Sequence, residues 1–390
     1  NWTEFTRCGN TDMAYTEPPF TIGIEEEYLL VDKKTRDVAS DPPEALFETC
    51  QKRVEGLVAH EFLKAQIEVN TKVCATVAEA RESLAAIRGA VAEVADDFGL
   101  APIAASTHPF SHWQEQTHTE KERYDVIARD LQTVVRRLMT CGMHVHVGID
   151  SDELRIDLLN QVSYFMPHLL AFSTSSPFWQ GEDTGLKSYR LSVFDELPRT
   201  GIPNVFESWA EYRRHVDVLV GAGLIEDATK LWWDVRPSDR FPTLEMRITD
   251  VCTRIDDAIA VAALYMCLLR MLYRLKKENQ RWRQYASMLI EENRWRAQRY
   301  GLDEGLVDFG KGEILPCTRL FEEIQELIRE DAEALGCTVE IGHLGTIIKD
   351  GTSAHRQLAV YSVALSRGAS REEALIEVVD RLIEETRKTG

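Results

Sequence analysis

Three short stretches of this chain place metal-grade side chains on alternate positions of expected β-strands. They are Gly23-Ile24-Glu25-Glu26-Glu27-Tyr28, Gly142-Met143-His144-Val145-His146-Val147-Gly148 and Leu244-Glu245-Met246-Arg247-Ile248. A strand sends successive side chains to opposite faces, so Glu25 shares a face with Glu27, His144 with His146, and Glu245 with Arg247. The reverse faces carry Ile22, Ile24, Val145, Met246 and Ile248, so a core is expected beneath them. The polar faces could then line one cleft that takes cations and phosphates. Clustered carboxylates assisted by one imidazole suit a hard divalent ion. An arginine beside them suits a phosphoryl group, because its planar fork matches phosphate oxygens and keeps its charge.

Each stretch also has a plainer reading. Glutamate is depleted in strands, yet an exposed edge strand uses charge to resist aggregation. Glu26 is odd in either case, because it falls on the face of Ile24 and Tyr28. In the stretch 60–70, alternation puts Lys64, Gln66, Glu68 and Asn70 on one face and Glu61 on the other parity. Glu61 and Glu68 reach one site only if a bulge or a strand end intervenes; otherwise this is an amphipathic strand. His60-Glu61 has no second histidine at the helical spacing of a zinc protease. His144 and His146 together with Cys141 leave a zinc site open, and Glu245 with Arg247 could be no more than a cross-strand ion pair. There is no GxxxxGK[ST] and no strand-linked GxGxxG, so any ATP is bound without a P-loop.

Composition narrows the function class. With 390 residues and 44% apolar content the chain can bury a substantial core. A formal net charge of −19 argues against a nucleic-acid partner. The eight cysteines are scattered without a CxxC pair, which fits reduced thiols in a cytosol better than a disulfide framework or a zinc ribbon. No signal-peptide pattern opens the sequence, and the absence of an initial Met suggests numbering that begins inside a longer chain. The longest apolar run, 258–269, stops at Arg270; it is too short to span a bilayer and reads as a buried helix, with no membrane partner.

The elements that must position these residues follow from periodicity. Strands are expected over 20–31, 62–70, 100–106, 143–149, 230–235 and 243–250. Helices are expected over 76–98, opened by the capping-box pattern Thr76-Val77-Ala78-Glu79, and over 120–139, 152–172 with a kink near Pro167, and 207–220. Further helices are expected over 254–276, 281–299, 318–335, 354–365 and 370–387. Residues 1–19 read as a lead-in segment and 20–390 as one catalytic body, sheet-rich over 20–250 and helix-rich over 251–390. Strands first and helices after them make an α+β architecture. The Ser-, Gly- and Pro-rich stretch 173–203 reads as a functional loop or lid.

Order and spacing together resemble the bacterial carboxylate–amine ligases of the glutamate–cysteine ligase type 2 family, within the glutamine synthetase-like superfamily. The residues that carry the resemblance are 23–27, 61–68, 142–148, Tyr189-Arg190, Pro198-Arg199-Thr200-Gly201, Trp232 to Pro237, Leu244 to Arg247 and the tail 350–357. It covers about 20 to about 358. It implies an antiparallel sheet forming a funnel-shaped active site flanked by helices, with a helical C-terminal part. It implies ATP-dependent joining of the γ-carboxylate of glutamate to the amine of cysteine through an acyl phosphate, giving γ-glutamylcysteine, ADP and phosphate. By resemblance, Glu25, Glu27, Glu61, Glu68, His144 and Glu245 hold two or three Mg²⁺ ions, for which Mn²⁺ can substitute. His146 and Arg247 face ATP, Arg247 and Arg236 steady the transferred phosphoryl group, and Arg190 or Arg199 grips substrate carboxylates. His355 stands where an acidic residue is expected in relatives. The implied partners are small molecules and, for a cytoplasmic enzyme of this kind, further copies of the chain in a homo-oligomer. Open alternatives are another carboxylate–amine pair, a guanidino substrate, or a nucleotide-binding relative without catalysis.

Overall fold

The computed structural model describes residues 17–61, 63–117, 119 and 137–389. Most of the expected lead-in and most of the expected helix 120–139 lie outside the described residues.

A seven-stranded antiparallel sheet organises the molecule. Its order is β10-β11-β5-β1-β3-β2, with β4 pairing the far half of β1. The strands are β1 (Ile22–Asp32), β2 (Val58–His60), β3 (Gln66–Asn70), β4 (Leu100–Ile103), β5 (Met143–Gly148), β10 (Val235–Pro237) and β11 (Thr243–Met246). The intervening pairs β6 (Phe178–Trp179) with β7 (Glu182–Asp183), and β8 (Thr200–Gly201) with β9 (Trp232–Trp233), are two residues each. The long strand β1 is the hub, because it alone touches β3, β4 and β5. From Ile22 to Tyr28 its alternation is strict: Ile22, Ile24 and Tyr28 are buried on the back face, where the helices Val77–Asp97, Asp152–Val162 and Ile255–Lys277 cover the sheet, and beyond Tyr28 both faces are buried as far as Val31.

Two expected strands form differently. The stretch 62–70 breaks at a turn around Lys64 and Ala65, and β2 and β3 fold back on one another as a hairpin. The hairpin near Arg236 is shifted: Arg236 lies in β10 rather than in the connecting turn, and Trp232-Trp233 pairs in parallel with β8. The helix Val77–Asp97 starts as its sequence dictates. Thr76 accepts from the Glu79 amide, and Glu79 reaches back to the amide of Ala75. The expected helix 152–172 is interrupted by a single 3₁₀ turn at Ser163–Phe165, and Pro167 sits at the start of the next helix, Met166–Ser173, where its missing N–H costs nothing. The helix Thr338–Asp350 was not expected. Gly342, Gly345 and six β-branched residues disfavour it locally; Ile341, Leu344 and Ile347 form it by packing into the core.

The helix Ile255–Lys277 extends well beyond the apolar run 258–269. At 23 residues it is long and apolar enough, by length and composition, to cross a membrane, and 83% of its most apolar window is buried inside the fold. It is the core helix that the C-terminal helices Cys317–Ala334 and Thr338–Asp350 pack against on one side and the sheet helices on the other. Sheet-rich and helix-rich halves thus share one hydrophobic core.

The stretch 173–203 is a bolted wall rather than a lid. Ser173 to Ser176 are buried. Asp250, fully buried, accepts from the amide of Ser175 (2.8 Å) and the hydroxyls of Ser176 (2.8 Å) and Ser188 (2.9 Å). The tail secures the same wall from outside: Gln357 donates to Ser175 O (2.8 Å) and Thr352 meets Thr174 (2.7 Å). His355 caps its own helix, its Nδ1 accepting from the amide of Thr352 at 3.2 Å. That is the acceptor task an acidic residue performs in a capping box.

Three histidines make the fold acid-sensitive. Burial pushes His108, His168 and His355 down from the ordinary value near 6.5 to about 4. Each stays neutral in the folded chain while the unfolded chain takes up a proton. Their contribution is intact above about pH 6.5 and is lost as pH falls from there through 4. The free energy of urea unfolding should therefore decline steadily over that window. A flat profile from pH 7 to 4 would contradict the burial of these rings.

Candidate active site

The front face of the sheet is the floor of a cleft of about 500 Å³. Register explains which side chains meet there. Glu25 lies opposite His144, Glu27 opposite Glu68, and Glu245 opposite both His146 and Arg236 on its two neighbouring strands. All of these line the cleft, with Glu61, Gln66, Arg190 and Arg247.

The acidic donors divide into two groups. Glu25, His146 and Glu245 each offer one ligand atom within 4.8 Å of the others, and so do Glu27, Glu61 and Glu68. Glu61 joins because the turn before β3 brings it back beside Glu68; the strand end that parity demanded is present. In the first group His146 takes the place expected for His144. Its Nε2 is buried 3.2 Å from Glu25 Oε1 without a well-aligned hydrogen bond, and its Nδ1 meets Thr243 Oγ1 at 2.9 Å. A metal-binding imidazole is held in this way, one nitrogen fixed by a hydroxyl and the other left for the ion. His144 instead turns Nδ1 to Glu25 Oε2 (3.2 Å) and to Arg247 Nη1 (3.5 Å). Cys141 is in neither group. It is buried and accepts from Gln66 at 3.7 Å, and burial raises its thiol well above the ordinary range, so a zinc site on Cys141, His144 and His146 is not assembled.

The electrostatics differ between the groups. Burial would raise Glu245, but Arg247 and Arg236 overcome it and hold the carboxyl well below its usual range. Glu25 is likewise held ionised by His144 and His146 against burial. Burial pulls the His146 imidazole down, and Glu25 and Glu245 more than offset this. Glu27 goes the other way: burial raises it, Glu68 adds to the rise, and His144, Arg190 and the Gly142 amide compensate only in part. A divalent cation among Glu27, Glu61 and Glu68 would relieve that repulsion, and oxygen donors with a single imidazole fit Mg²⁺ or Mn²⁺.

The arginines have distinct tasks. Arg236 commits four of its five N–H donors: it grips Glu245 with Nε (2.9 Å) and Nη2 (3.2 Å) and donates from Nη1 to Thr229 O and Leu231 O, both at 2.8 Å. It orients Glu245 and keeps one Nη2 hydrogen outside these bonds, in a side chain that lines the cleft. Arg247 bonds Glu245 through Nη1, while its Nε is buried with no partner among the described residues. Arg190 is buried in the wall, with Nη1 and Nη2 each 3.3 Å from the carbonyls of Ile248 and Arg247. Arg199 does not reach the cleft. It donates to Lys230 O at 3.1 Å and lies over the Trp232 ring. Lys64 also turns away, to Asp41. Thr243 went unmarked in the sequence, although alternation puts it on the face of Glu245 and Arg247.

Comparison with known proteins agrees with this geometry. The family model described as glutamate–cysteine ligase family 2 matches residues 21–381. A Rhodospirillum rubrum protein named, provisionally, glutamate–cysteine ligase 2 is 64% identical over 374 residues, covering 95% of this chain and 96% of that one. A protein of the same provisional name from Jannaschia sp. is 53% identical, covering 95% and 98%. Among solved structures, the glutamate–cysteine ligase of Francisella tularensis in complex with AMP has a TM-score of 0.67 at 14% identity, over 96% of this chain and 90% of that one. At that identity the likeness establishes the fold, an antiparallel sheet flanked by helices. Sequence match and site geometry converge: the chain belongs to the glutamate–cysteine ligase family 2 and is an ATP-dependent carboxylate–amine ligase.

Proposed function

We propose that the protein activates the γ-carboxylate of glutamate with ATP and joins it to the amine of cysteine. The observation that carries the reading is the pairing of two donor clusters on one sheet face. Glu25 and Glu27, two residues apart on β1, belong one to each, and Arg247 is held against Glu245 of the first. Glu25, His146 and Glu245 would hold one Mg²⁺, and Glu27, Glu61 and Glu68 a second. When bound, such ions neutralise phosphate charge and polarise the γ-phosphoryl group.

A carboxylate is a poor electrophile until its oxygen becomes a leaving group. A glutamate oxygen attacks the γ-phosphorus, the bond to ADP breaks, and an acyl phosphate forms. The amine then attacks the carbonyl carbon, the carbon–oxygen bond to phosphate breaks, and phosphate and one proton leave. Phosphoryl transfer of this kind needs positioning and charge stabilisation more than covalent help. Arg247, with its unpartnered Nε, donates to the transferred phosphoryl oxygens. Arg236 and Thr243 keep Glu245 and His146 in place. Arg190 holds a substrate carboxylate from the wall, above the Glu27 cluster. His144 orients Glu25, its Nδ1 donating to Oε2 at 3.2 Å.

Glutamate labelled with ¹⁸O in its γ-carboxylate tests the route: one label should appear in the released phosphate, and γ-glutamylcysteine in the product. Phosphate without label would rule out the acyl phosphate, and a product formed only with another amine would replace cysteine. Arg190→Ala should raise the KM for the carboxylate substrate roughly 10- to 100-fold, the worth of a charged hydrogen bond, and leave the KM for ATP unchanged. An unaltered carboxylate KM would remove Arg190 from this role.

A further inference from the structure

The motif that carries His144 and His146 opens with Gly142, for which the reaction scheme has no use. Its backbone dihedrals do not require glycine: it is absent from the positive-φ residues. The requirement is space. A Cβ at Gly142 would lie 2.6 Å from Arg190 Nη2, 3.1 Å from its Cζ and 3.2 Å from its Nε. The guanidinium therefore occupies the space that a side chain at this position would take. It has little freedom to retreat, being buried, bonded to the carbonyls of Ile248 and Arg247, and stacked 5.2 Å from the Phe194 ring centroid. The same residue also grips Glu27 twice. The Gly142 amide donates to Glu27 Oε2 at 2.8 Å, and its carbonyl accepts from the Glu27 amide at 3.1 Å.

From this the geometry points to Gly142 as a positioning residue that fixes the separation between the Arg190 guanidinium and the Glu27–Glu61–Glu68 cluster. It acts through both neighbours and touches no substrate. The consequence is specificity for the carboxylate substrate: its charged end and the group being phosphorylated are read at a set distance. The inference rests on the assignment of Arg190 to that substrate.

The experiment is a double-mutant cycle of Gly142→Ala and Arg190→Ala on the full chain, with three readouts. These are the separate KM values for glutamate and ATP, the melting temperature, and Mn²⁺ stoichiometry from the signal of the free ion. Gly142→Ala should raise the glutamate KM roughly 10- to 100-fold, as Arg190→Ala does, with the ATP KM and two bound Mn²⁺ retained. The double variant should be no worse than Arg190→Ala alone, and should recover the melting temperature lost in Gly142→Ala, because the clash has gone. Independent, additive effects on KM would overturn the inference. So would a recovered melting temperature without any rise in KM for Gly142→Ala, which would make the contact structural only. If Arg190→Ala itself leaves the glutamate KM unchanged, the assignment of Arg190 fails, and with it the positioning role, while two bound Mn²⁺ and turnover by the unaltered protein would leave the ligase reading standing.

Discussion

Replacing Arg247 by methionine should lower kcat by about 10³-fold or more, the scale of an arginine that stabilises a phosphoryl-transfer transition state. The substitution is informative because the surroundings survive it. Glu245 keeps its two bonds from Arg236, so the carboxylate stays ionised and aimed. His146 keeps Thr243, and neither donor cluster includes Arg247, so two Mn²⁺ ions should still bind. What disappears is, among the described residues, the one cleft guanidinium whose Nε is buried without a partner. A loss of kcat/KM confined to KM would reassign Arg247 to ground-state binding, and a change below 10-fold would remove it from the phosphoryl group. Arg247→Lys should restore little, since an ammonium does not reproduce the fork.

The second large effect is on stability. Arg88→Met should cost about 3–5 kcal/mol, the cost of leaving one partner of a buried ion pair alone. Arg88 meets Glu26 with Nε at 2.8 Å and Nη2 at 2.6 Å, and donates to the carbonyls of Cys252 and Thr253, both at 2.8 Å. Burial would lower the Arg88 guanidinium, and Glu26 more than offsets it. The pair ties β1 to the chain segment that leads from β11 into the long core helix. Glu26→Leu with Arg88→Met should recover part of the loss, because no charge is then stranded. Urea unfolding checks both, and a cost below 1 kcal/mol for Arg88→Met would mean that water reaches Glu26.

That pair marks a limit of the sequence. Glu26 is visibly misplaced on an apolar face, but its partner lies 62 residues away on a helix, where periodicity marks Arg88 only as a charge on a buried stripe. The cleft was more legible. Alternation alone put Glu25, Glu27, Glu68 and Glu245 on polar strand faces, and the register places them together. Parity could not separate His144 from His146, since both share a face. Which of them falls in the donor group with Glu25 and Glu245 depends on β11 aligning Glu245 with His146, and that is decided by tertiary pairing. Arg199 looked equivalent to Arg190 for the same reason, since the loop conformation that turns it to Lys230 O has no periodic signature. The helix Thr338–Asp350 was hidden by its glycines, which its buried isoleucines and leucine outweigh.

The central claim, a carboxylate–amine ligase built on two metal clusters, is tested most directly by phosphate release. The assay takes Mg-ATP and glutamate with and without each amino acid as acceptor, for the unaltered protein and for a Glu25→Gln, Glu27→Gln double variant, which removes one oxygen ligand from each cluster. Release that depends on cysteine and is abolished in the double variant is the predicted result. Release that needs no acceptor, or that persists in the double variant, would contradict the account.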